Sequence, residues 1–426
     1  MCFKYGHLFF TLSLVCLLNS VAQSQNQGNP DLLKELMKNG TPLLQNVFQN
    51  SEKHRLQILY TQIERDENNS PSFKSFAYRV NKEEYFYPAS SIKIIGAALS
   101  LEKVNQLGNP DLTKEAWMKI DSSYSGQTAV ISDSTSKSLK PSLAHYIKKL
   151  LVVSDNDAYN RTYEFLGQEE MNLRMLQKGF DDTRLTHRLS LVLSQDENRH
   201  TNAMTFYSAH QDKPIYRQDA QFSRRDFTSK ALIPLGTAYI KGEELVNSPM
   251  DFSGKNACSI EDLQKVIKTL IFPDSVNDLE RFDLSSTDYE FLYRYMSQLP
   301  RETRYPDYSK NPDNYCKFFM YGDNNKGSIP GHIRIFNKIG LAYGFCIDNA
   351  YIVDLKNNIE FLLTAVIYTN ENQTLNDGEY EYEEVAFPFM DQLGRAIYEH
   401  ELNRTRTRMP DLNKCKLTYD ISKNPN

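Results

Sequence analysis

The sequence predicts an α+β sandwich whose antiparallel sheet is assembled from strands at both ends of the chain, flanked by helices and set beside an all-helical part. Two strand-like runs, 54–63 and 73–80, precede a long middle of helical periodicity. Three further strand-like runs between 333 and 368 are followed by one long helix.

Taken in order, a polar stretch at 23–30 leads into an amphipathic segment, 32–48, broken at Gly40-Thr41-Pro42. The runs 54–63 and 73–80 are separated by Asp66-Glu67-Asn68-Asn69-Ser70-Pro71, so the pair reads as a hairpin. From 90 to 107 the apolar residues Ile92, Ile95, Leu99 and Val104 recur at helical spacing, and Gly108 supplies the stop. Residues 142–178 read as successive helices, 143–153, 158–166 and 171–177, interrupted at Ser154-Asp155-Asn156 and at Gly167. The region 181–256 is polar and irregular with weak strand signals at 214–216; 260–271 is a helix, and a Tyr-rich stretch covers 289–321. The runs 333–338, 344–353 and 359–368 have strand composition and short turns, which predicts an antiparallel meander. A helix over 381–402 starts acidic and carries Val385, Phe389, Leu393 and Ile397 on one face; Pro388 confines its own position to the first turn. No internal repeat is visible. The expected organisation is a leader over 1–22, a folded domain over 23–402 with an α/β part at 31–85 and 330–402 and a helical part at 86–329, and a tail over 403–426. The tail reads as a solvated extension tied down at most by Cys415.

The leader combines Lys4, an apolar run at 8–18 and the small-x-small ending Ser20-Val21-Ala22 of a signal-peptidase site. The run falls well short of the ~20 residues that span a bilayer, so cleavage and export to the periplasm or beyond are expected, not a membrane anchor. Val15 before Cys16 and the continuing Leu17-Leu18 argue against lipid attachment. Cleavage removes Cys2 and Cys16 and leaves Cys258, Cys316, Cys346 and Cys415, read as structural disulfides or as buried thiols with the pairing open. Without CxxC spacing or a Cys/His cluster, a zinc site is not supported. Charge is mildly acidic, 49 Lys plus Arg against 54 Asp plus Glu, with no basic run interleaved with aromatics, so nucleic acid is not an expected partner.

Three short motifs carry chemistry. Ser90-Ser91-Ile92-Lys93 opens a predicted helix, which places a hydroxyl and an amine one turn apart on one face, beside free backbone N–H groups. A serine hydroxyl needs an adjacent base, and Lys93 serves if burial or a neighbouring cation makes it neutral. The same SxxK pattern recurs at Ser100 to Lys103 and Ser134 to Lys137, so context must select among them. Ser154-Asp155-Asn156 lies between two helices, where a hydroxyl and an amide two residues apart could relay a proton and hold an amide; the same three residues also suit a helix N-cap. Lys338-Ile339-Gly340, placed at the end of a strand, offers a cation for a carboxylate and a glycine that lets a substrate approach the strand backbone, although Lys38-Asn39-Gly40 matches the pattern as well.

In this order the motifs resemble the signature of the class A β-lactamases and the penicillin-binding D,D-peptidases, SxxK then SDN then a KTG-type triad. The resemblance covers roughly 56–402 and includes Pro88-Ala89 and the strand 348–354. It implies an α domain beside an α/β domain with the site in the cleft between them. It makes Ser90 the acylated nucleophile, Lys93 its base, Ser154 the proton shuttle, Asn156 a ligand of the substrate amide, and Lys338 and Gly340 substrate-binding residues. The backbone N–H groups of Ser90 and Leu341 would form the oxyanion hole. No metal or cofactor is implied, and the partner is a small-molecule or peptidoglycan-derived amide.

Two departures stand out. The stretch 183–195, where class A enzymes carry a Glu for the deacylating water, holds no acid; Asp181 and Asp182 precede it, and Glu197 in Asp196-Glu197-Asn198-Arg199-His200 is the candidate substitute, unless that cluster is a loop-stabilising ion pair. Ile339 replaces a hydroxyl residue that donates to a β-lactam carboxylate. His187 and Arg188 are further candidates for the site wall, read otherwise as solvated or capping residues. Three readings remain open on the sequence: a β-lactamase-like hydrolase, a D,D-peptidase, and a catalytically silent cell-envelope binding protein.

Overall fold

The computed structural model describes residues 31–208, 212–323 and 328–421, with the backbone also at 26–27. The leader over 1–22 lies outside the described residues.

Five long strands form the body of a six-stranded sheet: β1 (Gln57–Arg65), β2 (Pro71–Tyr78), β3 (Ile333–Ala342), β4 (Phe345–Asp354) and β5 (Ile359–Tyr368). Their spatial order is β2-β1-β5-β4-β3, all antiparallel, with a two-residue strand at 26–27 on the outside of β2. Chain-start and chain-end strands therefore share one sheet, as the order of elements predicts. Both faces of the sheet are covered. In β4, Ile347, Tyr351 and Val353 enter the core shared with the helical part, whereas Cys346, Ala350 and Ile352 enter a second core. Successive residues pointing to opposite, equally apolar sides explain why β4 and β5 read as continuous hydrophobic runs.

Helices α1 (Asp31–Lys38) and α2 (Pro42–Gln49) pack near the C-terminal helix over the second core, the break between them falling at Gly40-Thr41-Pro42 as expected. The helical part is built on α3 (Lys93–Gln106), buried all round from Lys93 to Val104, against α4 (Leu143–Val152), α5 (Asn156–Leu166) and α6 (Gln168–Gln177). Gly96 permits the α3–α5 contact, because a Cβ there would stand 2.7 Å from Thr162 Oγ1. A one-turn helix α7 (Gln195–Arg199) follows in the irregular region, and α8 (Ile260–Ile271) lies on β1, β4 and β5. The Tyr-rich stretch hides a helix, α9 (Ser286–Ser297), opened by a Ser285–Asp288 capping box. Helix α10 (Phe387–Asn403) begins after a π-turn at Tyr382–Ala386, so Pro388 falls in its first turn.

Two expectations need correction and one open alternative is settled. Lys338-Ile339-Gly340 sits inside β3, which continues to Ala342, and is not at a strand end. The tail is not solvated: Leu412, Cys415 and Tyr419 are buried, and Arg404 and Arg406 pair with the fully buried Glu401. Arg404 and Arg406 are counter-charges, a role that composition alone does not reveal. Cys258, Cys316, Cys346 and Cys415 are all buried free thiols, which settles the open alternative in favour of thiols.

Candidate active site

Pro88 and Ala89 lead into a single 3-10 turn, Ala89–Ile92, that presents Ser90 and then continues as α3 with Lys93 as its first residue. The edge strand β3 runs directly beside this turn. A Cβ on Gly340 would lie 2.5 Å from Pro88 O and 3.1 Å from Ser91 N. Gly340 thus lets the strand approach the nucleophile turn, where the sequence suggested that it admits substrate. Gly340→Ala is expected to cost about 1–3 kcal/mol through this overlap, read as a lower Tm together with slower modification of Ser90.

The Lys93 side chain is fully buried. Its amine donates to Asn156 Oδ1 at 2.6 Å and to Ser154 O, with Ser154 Oγ at 3.3 Å. Lys338 Nζ donates to the same Ser154 Oγ at 2.8 Å and to Ile339 O at 3.1 Å. The three motifs therefore meet at Ser154. Burial, then the neighbouring Lys338 cation, push Lys93 well below its ordinary value. Burial, opposed by the Cys316 and Asp348 charges and helped by Lys317, brings Lys338 down to about 8. A neutral Lys93 has two N–H donors. Ser154 O and Asn156 Oδ1, which can only accept, absorb both, and the lone pair of the amine is left over for a proton. Among the described residues no hydrogen bond joins Lys93 to Ser90 directly, which is common for catalytic pairs without substrate.

Asn156 has a second task. It opens α5 after the Asp155 N-cap, and its Nδ2 donates to Ser190 Oγ at 2.7 Å. Ser190 ends a stretch in which successive residues are held by asparagine side chains. Thr186 N and His187 N donate to Asn256 Oδ1, Arg188 N to Asn198 Oδ1, and Leu189 N to Asn160 Oδ1 at 2.8 Å. Asn160, one helical turn beyond Asn156, also donates to Leu189 O. Sequence reasoning missed Asn160, Asn198 and Asn256; the spacing of Asn156 and Asn160 on one helix face was the available signal. His187 and Arg188 do not line the site and are not solvated. His187 stacks on Tyr87, and burial brings it to about 4; Arg188 pairs with the buried Glu164 at 3.0 Å.

Glu197 is not brought to the site. Its carboxylate closes the capping box of α7 on Ser194 and accepts from Ser125 Oγ at 2.6 Å, the loop-stabilising role that was the alternative. Of the two other SxxK lysines, Lys103 is spent on Phe165 O and Glu170, and Lys137 is not among the residues that line the space around Ser90.

Ser90 opens into a cavity of about 350 Å³ whose lining also includes Asn156, Leu341 and Tyr343. Leu189 and Ser190 form one wall and Tyr87 another; Asn376, Gly378 and Tyr380 form the rim, with Asn376 Nδ2 donating to Ile240 O of the inserted strand Ala238–Lys241. No Asp, Glu, Lys or Arg is among these lining residues. Ala89, Ser154, Ser190 and Tyr343 have φ between 48 and 58 although none is glycine. Such strain gathers where surrounding structure holds functional groups in place. A larger groove of about 1190 Å³, lined by Glu102, Arg174 and Lys178, lies away from these motifs and is filled with ion pairs. Among the described residues no group of three or more His, Cys, Asp or Glu side chains is placed to hold a metal, and no helix is long and apolar enough to cross a membrane.

Residues 42–226 match the β-lactamase enzyme family, a stretch that contains Ser90, Lys93, Ser154 and Asn156 and ends before Lys338. No curated protein matches the chain. Among solved structures, a β-lactamase from Xanthomonas campestris pv. campestris is 14% identical with a TM-score of 0.48, covering 87% of this chain and 97% of its own. A β-lactamase from Desulfarculus baarsii is 13% identical at a TM-score of 0.47, covering 89% of this chain and 100% of its own. An ancestral class A β-lactamase is 15% identical at 0.47, covering 87% of this chain and 99% of its own.

Proposed function

With its first two motifs inside a β-lactamase-like segment, we propose that this chain is an exported serine hydrolase that forms an acyl-enzyme on Ser90, by β-lactamase-type attack on a β-lactam or related amide. One observation carries the reading: among the described residues the lysine bonded to both Ser154 and Asn156 is a buried Lys93 whose protonation is disfavoured, one helical turn from a serine that opens into a cavity. In the proposed sequence Lys93 takes the Ser90 proton and Oγ attacks the acyl carbon. The oxyanion forms against the backbone N–H groups of Ser90 and Leu341, and Ser154, held by Lys338, returns a proton to the leaving nitrogen. Export rests on Lys4, the apolar run at 8–18 and the Ala22 ending.

A second reading, a D,D-peptidase acting on peptidoglycan stem peptides, is favoured by one specific feature: the cavity lining offers no carboxylate to activate a deacylating water. Both readings share the acyl-enzyme and differ in its lifetime. Intact-mass measurement after incubation with excess benzylpenicillin is expected to show one covalent adduct, absent in Ser90→Ala. Persistence of the adduct for many minutes supports the peptidase-like reading, and clearance within seconds supports the β-lactamase-like one. No adduct together with no consumption of benzylpenicillin, or an adduct that survives Ser90→Ala, sinks both.

A further inference from the structure

Building on the acyl-enzyme reading, we infer that the cavity selects acyl donors that are uncharged beside the scissile bond and carry an apolar or aromatic acyl group, in preference to donors with a carboxylate there. The lining around Ser90 is neutral throughout: Tyr87, Leu189, Leu341, Tyr343 and Tyr380 supply apolar or aromatic surface, and the polar groups are amides and hydroxyls. The nearest amines by bonding are Lys93 and Lys338, and neither belongs to the lining. Lys338 is 1% exposed, with its protons directed into Ser154 Oγ and Ile339 O. The following position, Ile339, offers no hydroxyl, and its side chain is buried in the core shared with α1, α2 and α10, on the far side of the sheet from the helical part. A carboxylate entering this space would give up hydration and meet no exposed positive charge among the described residues.

The same walls suit an apolar group. Tyr87, Phe252 and Tyr343 pack edge-on with ring centroids 5.1 to 5.9 Å apart, which stiffens an aromatic face beside the nucleophile. The rim segment bearing Asn376 and Tyr380 is in turn fastened to the inserted strand Ala238–Lys241, both by parallel pairing of Ala238 and Tyr239 with Thr374 and Leu375 and by the Asn376 amide. The selective face is therefore built by residues outside the three motifs.

The test uses two thioesters of phenylacetylglycine, one with thioglycolate as leaving group and one with its neutral methyl ester. In each, Ser90 Oγ bonds to the acyl carbon, the carbon–sulfur bond breaks, and the serine proton ends on the departing thiol, so both leave the same phenylacetylglycyl adduct. Thiol release and intact mass on the full mature chain give the second-order rate of acylation. Each rate is divided by that thioester's own rate with hydroxide, because the neutral thiol is the better leaving group, and on that scale the neutral thioester is expected to acylate Ser90 at least ~10-fold faster, the difference a missing charge-assisted contact makes. Ala342→Arg, which places a guanidinium on the lining, is expected to narrow or reverse the ratio. Equal rates, or a faster charged thioester whose advantage disappears in Lys338→Met, overturn the inference and leave the acyl-enzyme reading standing. Failure of both thioesters to modify Ser90 overturns that reading and the inference with it.

Discussion

Lys93→Met is expected to slow acylation of Ser90 by ~10²- to 10⁴-fold, the range a positioned general base contributes. The amine follows Ser90 by one helical turn and is disfavoured in its charged form, by burial first and by Lys338 second. Removing it leaves Ser154 O and Asn156 Oδ1 without their donor, so a loss of rate could reflect a shifted loop at 154–156. Lys93→Arg separates the two causes, since guanidinium donates hydrogen bonds but does not give up a proton in this pH range. A chemical role predicts that both variants lose the rate; a purely positional role predicts that arginine restores it. The pH profile adds a third readout. Because the folded-state value of Lys93 lies below that of a free lysine, the acylation rate should rise with pH and level off well below 10.5, the ordinary lysine value, instead of climbing through it. A rate that still rises past that point would show that the base is an unperturbed lysine or hydroxide. The same sign applies to folding: the unfolded chain binds this proton more tightly, so the stability that goes with a neutral Lys93 is present at high pH and lost as pH falls through its folded value.

The sheet was legible because strand runs at 54–80 and 333–368 flank a middle of helical period, and the only consistent way to cover both is a sheet from the two chain ends. The α9 helix was not legible, since Tyr289, Tyr293 and Tyr295 are all only half-buried and, with fully buried positions limited to Asp288, Leu292, Met296 and Ser297, the apolar stripe is blurred. The tail misled for an electrostatic reason. Arg404 and Arg406 face Glu401 and Glu64, acids donated by α10 and β1, and no local pattern announces a long-range counter-charge. Within the site, Ser90, Lys93, Ser154, Asn156 and Lys338 were found because the chemistry demands those types in that order. Tyr343 and Tyr380 were not, because a wall can be built from almost any residue of the right shape. Gly340 was found for the wrong reason: the absent Cβ makes room for Pro88 O and Ser91 N of the protein itself.

Ser190→Glu is expected to accelerate release of the acyl group from Ser90 by ~10²-fold or more, with little change in the acylation rate. Hydrolysis of an ester needs a base for the incoming water, and the lining of this cavity holds neither Asp nor Glu. Glu197, the substitute suggested by the sequence, has its carboxylate committed to the Ser194 backbone and hydroxyls at the head of α7, and cannot leave without uncapping that helix. Ser190 is exposed on the cavity wall, and its hydroxyl accepts from Asn156 Nδ2. A carboxylate there would accept the same donor, which both orients it and favours its charged form. The backbone around it is already fixed by the Asn160 hydrogen bonds to Leu189, so the new side chain enters a preformed wall. Its φ of 54 is one that serine tolerates and glutamate tolerates no worse, since neither has a branched Cβ. Single-turnover decay of the purified acyl-enzyme, followed by intact mass for the parent and the variant side by side, measures the effect. Equal decay would mean that the slow step lies in access of water and not in the missing base, and would point to the rim segment 374–380 as the barrier.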